Sequence, residues 1–358
     1  MNWPEWLPLR AALKPLSPYG APQVPARVRI NTNENPYGPS KALINEITKK
    51  VSEIATSLNR YPDRDAIALR KKLADYLGHG LSIENIWAAN GSNEILQSIF
   101  LAFGSGCALG FTPSYSMHPL IAKVTGVEWN DGNRNSDFSL NIDAAITEIA
   151  QLKPKLIFIT TPNNPTGNSL SITEIERLAI AAKGVNALLV VDEAYAEFSN
   201  EISALTLITR YPNVLVSRTM SKAFAFAGAR LGYLAADKLV IDALQLVRLP
   251  YHLSALTQAA AEVALDFREE LLATVSELVN QRDSLADQLT KLGLTVAPSS
   301  SNFLLFTGFA GESKNLWEKL LKAGVLIRDV GLPGYLRVTI GTVAENEEFL
   351  AALKAALK

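Results

Sequence analysis

The chain has 358 residues, 48% of them hydrophobic and 19% charged, with a formal net charge of −1. That length suits one large or two medium domains with a substantial core, and the lack of low-complexity or like-charge blocks excludes a disordered chain. A near-neutral balance offers no general field to nucleic acid or an acidic membrane, so an anionic ligand has to be met by local arginines and the partner is a small molecule.

The single cysteine, Cys107, excludes an internal disulfide framework and a cysteine zinc cluster, and it fits a reducing cytoplasm. His79, His118 and His252 are too scattered to suggest a metal site. The opening "MNWPEWLPLRAALKPLSPYG" has prolines where a signal peptide needs an unbroken apolar stretch, and no apolar run approaches the length of a membrane span.

In chain order, proline-rich residues 1–40 read as an arm that crosses between domains or subunits. Residues 41–260 alternate helical stretches with short apolar runs, the pattern of an α/β domain with a mainly parallel sheet flanked by helices. "CALGF" (107–111), "KLIFIT" (155–160), "ALLVVD" (187–192) and "NVLVS" (213–217) read as buried strands, nearly continuous in Leu, Val and Ile. Each is followed by a polar or Gly/Pro-containing segment, and in open parallel sheets ligands bind at the carboxyl ends of the strands. Residues 261–358 change texture: long amphipathic helices, then "SNFLLF", "VLIRDV" and "YLRVTIG" as strands, then a last helix, which reads as a smaller α+β domain.

Within that frame "NGSNEILQSIF" (90–100) is a helix start, where unpaired N–H groups favour an anion; a capping box that merely starts the helix is the alternative. "VVDEAY" resembles the acidic strand of a nucleotide hydrolase, but no Gly-Lys pair exists to build the phosphate loop. "GSGCAL" (104–109) lacks the third glycine of a dinucleotide fingerprint and precedes its strand. What remains is Asp192 at the end of a buried strand and Lys222 in "SRTMSKAFAFAGARLGY", a lysine set among small apolar residues with Arg230 eight positions on. Pyridoxal phosphate accounts for these together: an aldehyde for a lysine amine, a ring nitrogen for a carboxylate, and a phosphate for a helix start, hydroxyls and an arginine.

"NTNENPYGPS", "RYPD", "NGSNE", "PSYSMHP", "TPNNPTG", "VVDEAYAEF" and "SRTMSKAFAFAGARLGY" occur in the order and spacing of the fold-type I pyridoxal-phosphate aminotransferases, and the chain resembles that family from about residue 6 onward. Its nearest likeness is to the branch acting on histidinol phosphate. The resemblance implies Lys222 on the cofactor, Asp192 at the ring nitrogen, Asn164 and Tyr195 at the phenolic oxygen, and Tyr115 stacked on the ring. It implies a phosphate held by Ser92, Asn93, Thr219, Ser221 and Arg230, with Tyr61 reaching over from the second subunit of a homodimer. Arg337 would take the substrate's carboxylate or phosphate, Arg328 would add a second charge, and Tyr19 and Tyr251 are candidates for the imidazole side, with core packing as their alternative. The implied activity exchanges an amino group between glutamate and imidazole-acetol phosphate, giving 2-oxoglutarate and histidinol phosphate in histidine biosynthesis; phenylalanine transamination and threonine-phosphate decarboxylation are the rival activities.

Overall fold

The computed structural model describes residues 3–18 and 20–358. After an N-terminal segment the chain forms β1 (Val28–Arg29), α1 (Lys41–Ala55), α2 (Ile67–Leu77), β2 (Ile86–Ala89), α3 (Ser92–Phe103), β3 (Cys107–Thr112), α4 (Met117–Thr125) and β4 (Glu128–Asn133). It continues through α5 (Ile142–Leu152), β5 (Leu156–Thr160), α6 (Ile172–Gly184), β6 (Leu188–Asp192), β7 (Val214–Thr219) and β8 (Gly232–Ala235). Then come α7 (Lys238–Leu244), α8 (Ala255–Asp266), α9 (Arg268–Lys291), β9 (Thr295–Val296), β10 (Phe303–Thr307), α10 (Ser313–Lys322), β11 (Val325–Leu326), β12 (Leu336–Thr339) and α11 (Val343–Ala356).

The main sheet has seven strands in the order β2-β8-β7-β6-β5-β3-β4, parallel except for β8, which runs against both neighbours. Its strands are continuous in apolar residues because both faces are covered. Successive side chains alternate between two cores: Leu189, Val191, Val214 and Val216 face one, with α5 and α6, while Val190, Leu215 and Phe158 face the other, with α3, α4 and α7. The chain leaves β3 for the edge strand β4 and returns to β5 on the other side of β3, so the carboxyl ends of β3 and β5 flank a topological switch point.

The four expected strands of the main sheet are present with ends shifted by a residue or two. The run "VLIRDV" departs from expectation. Only Val325 and Leu326 form a strand, and it pairs in parallel with β1 rather than joining the three-stranded antiparallel sheet β12-β10-β9. Beyond it Arg328 crosses over to make a single antiparallel bridge with Arg337. The run is therefore divided between two partners, and β1 ties the N-terminal segment to the C-terminal part of the fold.

Two glycines set how α3 meets the sheet. A Cβ on Gly232 would lie 2.3 Å from the Ser92 nitrogen and 2.4 Å from the Gly91 carbonyl carbon, so β8 and the start of α3 touch backbone to backbone. Gly91 has φ +80°, and a Cβ there would meet the Arg230 guanidinium at 2.8 Å. Gly232→Ala is expected to cost about 1–3 kcal/mol, since the obstacle is backbone rather than a movable side chain. Urea unfolding measures it; an unchanged midpoint would contradict this packing.

Candidate active site

At the carboxyl edge of the main sheet lies a cavity of about 290 Å³. Lys222, Asp192, Tyr195, Asn164, Tyr115, Ser92, Asn93, Thr219, Ser221, Arg230, Arg328 and Arg337 all line it. Tyr61 and Tyr251 do not. They stack on one another with ring centroids 4.3 Å apart, on the surface, with Tyr61 79% exposed. Tyr19 lies outside the described residues.

Parallel pairing of β6 with β7, with Asp192 opposite Ser217, delivers the acid and the Thr219–Lys222 loop to the same edge. Asp192 and Glu193 then diverge, as consecutive residues leaving a strand do. Glu193 accepts from Arg218 at 2.7 Å and from Ser203 and the Ala204 nitrogen, a fully used buried ion pair. Burial works against the Arg218 charge, but Glu193 and Glu197 together raise its pKa above the usual range. Asp192 is left for the cavity. Its buried carboxylate accepts from the Ala194 nitrogen at 3.2 Å and lies 3.2 Å from His118 Nε2.

His118 was not among the residues that the sequence offered for the site. It occupies the first turn of α4, three residues after Tyr115, and packs edge-on to that ring with centroids 5.4 Å apart. The spacing Tyr-x-x-His at a helix start, which puts both rings on one face, was the available signal.

Lys222 Nζ donates to the Thr32 carbonyl at 2.8 Å. Burial, with the Arg337 charge second, lowers its pKa from 10.5 to about 8; Glu34 opposes this and Arg230 adds to it. The amine is therefore half-deprotonated near pH 8, and a far larger share of it is neutral at physiological pH than of an ordinary lysine. Thr32 belongs to the segment Asn31–Asn33, which follows β1, lines the cavity and was absent from the sequence candidates.

Two sets of groups that could receive an anion line the cavity. The first is the start of α3: Gly91 is its N-cap, no side chain caps it, and Glu94 reaches back to the Asn90 nitrogen instead. No capping box closes this helix start, and the first-turn N–H groups remain available to an anion. Thr219, Ser221 and Arg230 lie at the same cavity, the two hydroxyls 3.0 Å apart. The second set is Arg337 with Arg328. Arg337 donates to Asn164 Oδ1 at 2.5 Å and to the Asn31 carbonyl at 3.0 Å, with its guanidinium 5.0 Å above the Phe303 ring.

A buried lysine with a lowered pKa, a buried carboxylate and two groupings that could receive an anion, all in one cavity, are the parts that amino-group transfer requires. The sequence model of the family described as aminotransferase class I and II matches residues 26–353. The chain belongs to this family. Among curated relatives, this aminotransferase is 56% identical over 351 residues to the histidinol-phosphate aminotransferase of Nocardia farcinica, covering 96% of this chain and 90% of the relative. It is 55% identical to that of Thermobifida fusca, covering 98% and 95%. Its fold is that of the histidinol-phosphate aminotransferase from Sinorhizobium meliloti solved in complex with pyridoxal-5'-phosphate, with TM-score 0.85, 24% identity, and coverage of 98% of this chain and 97% of that one.

Because folding lowers the Lys222 pKa, the folded chain binds fewer protons than the unfolded one between about pH 8 and 10.5, so this group's contribution to stability grows as pH rises through that window. In cofactor-free protein, acylation of Lys222 is expected to reach half its maximal rate near pH 8, ahead of the surface lysines, and Arg337→Gln should move that midpoint upward. Mass-spectrometric mapping reads both. A Lys222 midpoint near 10.5 would contradict the electrostatic picture.

Proposed function

We propose that this aminotransferase uses pyridoxal 5'-phosphate to exchange an amino group between glutamate and imidazole-acetol phosphate, forming 2-oxoglutarate and histidinol phosphate, the transamination step of histidine biosynthesis, in the cytoplasm. The observation that carries this reading is the pair of anion receivers in one cavity, with Lys222 close enough to both for Arg337 and Arg230 to lower its pKa. Relatives 54–56% identical over nearly the whole chain are histidinol-phosphate aminotransferases, which supports the substrate. Among the described residues no helix is long and apolar enough to cross a membrane.

The residues present fit the cofactor. The uncapped start of α3, with Thr219, Ser221 and Arg230, suits a phosphate, and the buried Asp192 carboxylate suits a protonated ring nitrogen. Bound pyridoxal phosphate supplies an aldehyde for amines and a ring that withdraws the electron pair left by a departing proton. Asp192 would hold the proton on the ring nitrogen, Tyr115 would fix the plane of the ring, and Asn164 and Tyr195 would hydrogen-bond its phenolic oxygen. Lys222, whose pKa of about 8 lets it both accept and return a proton near neutrality, would move the proton at the substrate's α-carbon. Arg337 would bind the glutamate carboxylate and the phosphate of the second substrate in turn, because a planar guanidinium can meet either anion with two hydrogen bonds. Arg328 would add the charge that a dianion favours.

Lys222→Ala is expected to lower turnover on the order of 10²–10⁴-fold or more and to leave the cofactor non-covalently bound. Arg337→Ala should raise the Michaelis constants for glutamate and for histidinol phosphate about 10–100-fold each, the loss of a charged hydrogen bond. Steady-state assays with each substrate decide: an effect on one anion alone rejects the shared pocket, and faster turnover of phenylalanine than of histidinol phosphate rejects the substrate.

A homodimer would complete the site. Leu58, Tyr61, Leu246 and Leu249 are more than half exposed, and Tyr61 and Tyr251 join the two segments that carry them. A second copy would cover this apolar face and bring Tyr61 to the partner's phosphate receiver. Sedimentation is expected to give twice the chain mass of 38.8 kDa, and Leu246→Asp should drive the protein towards the single chain and weaken cofactor retention. A fully active single-chain species would refute the shared site.

A further inference from the structure

We propose that Asn33 is a positioning residue that fixes the direction of the Tyr195 hydroxyl proton; the inference rests on the cofactor reading above. Asn33 is buried, in the left-handed backbone region at φ +56°, a conformation asparagine tolerates better than most residues. Its four polar groups are all engaged. The backbone nitrogen donates to Thr339 Oγ1 at 2.9 Å, and the carbonyl accepts from Asn302 Nδ2 at 3.1 Å. Thr339 Oγ1, already an acceptor, passes its own proton to Asn33 Oδ1 at 2.9 Å. That contact orients the side-chain amide, so Nδ2 is the group that faces the Tyr195 hydroxyl, at 2.8 Å.

Asn164 is oriented by the same logic. Arg337 donates to its Oδ1 at 2.5 Å, which turns its Nδ2 toward the Tyr195 oxygen at 3.4 Å. A phenolic hydroxyl has one proton to give. Facing two amide donors, the Tyr195 oxygen acts toward both as acceptor, and its proton is directed to a third group. With the cofactor bound, Tyr195 would then donate to the phenolic oxygen rather than accept from it. With its polar groups all engaged by protein partners, Asn33 would act through Tyr195 rather than on the substrate directly.

A donor at the phenolic oxygen stabilises the negative charge left there when the neighbouring lysine nitrogen gives up its proton, and so lowers the pH at which the visible band of the lysine-bound cofactor titrates. The test uses holoenzyme reconstituted with pyridoxal phosphate and reads that midpoint by absorbance. Tyr195→Phe and Asn33→Asp are both expected to raise it by about one pH unit, the latter because its carboxylate takes the Tyr195 proton. Asn33→Gly keeps the backbone conformation, removes the amide and should raise the midpoint less. The double variant Asn33→Gly with Tyr195→Phe should titrate like Tyr195→Phe alone, since the two residues act as one unit. Should Asn33→Gly not fold, Thr339→Val, which releases the amide orientation, should give a rise in the same direction.

Midpoints unchanged in the Asn33 variants, or additive effects in the double variant, would overturn the inference while leaving the proposed function standing. A wild-type protein that develops no pH-dependent visible band with pyridoxal phosphate would instead overturn the proposed function, and the inference with it.

Discussion

The parallel pairing of β6 and β7 is the constraint on which the site depends. With Asp192 opposite Ser217, an acid at the end of one strand and a lysine loop at the end of the next are brought to the same sheet edge. A one-residue slip would exchange Asp192 for Glu193 at the cavity and turn every side chain of the strand to the other face. The buried ion pair between Glu193 and Arg218, which joins the same two strands, opposes that slip: Glu193 parted from Arg218 would be an uncompensated buried charge. The acid that does no chemistry in this reading thus fixes the position of the acid that does.

Electrostatics follow from the same arrangement. A chain of net charge −1 still gathers Lys222, Arg230, Arg328 and Arg337 around one cavity. Like charges in a desolvated space disfavour one another's protonation, and the lysine, the only one of the four that can yield its proton near neutrality, carries the adjustment. The result is a cavity whose two cationic sides suit anions and, within it, an amine that gives up its proton more readily than an ordinary lysine.

The sequence made some parts legible and not others, for physical reasons. β3, β5, β6 and β7 could be read because strands covered on both faces are almost unbroken in apolar residues. β4, an edge strand with the sequence EWNDGN, has no such signature, and β8 begins with the glycine that backbone contact with α3 demands. Lys222 and Asp192 stood out because charges ending apolar strands need an explanation. Asn33 did not, since each contact that orients it comes from residues more than 160 positions away, and a polar residue in a proline-rich arm raises no question by itself. Tyr251, which the resemblance offers for the imidazole side with core packing as its alternative, has a left-handed backbone at φ +57° and stacks on Tyr61.

The short ladder between β1 and β11 has a consequence for biogenesis. It joins residue 28 to residue 325, and the segment just after β1 supplies the carbonyl that holds the lysine amine and, with β12, the support for Arg337. The pocket is thus closed by segments far apart in the chain, contacts of very large sequence separation that form slowly. A chain with its main sheet formed but β1 not yet paired with β11 would lack the lysine environment, so capture of the coenzyme would await that late pairing.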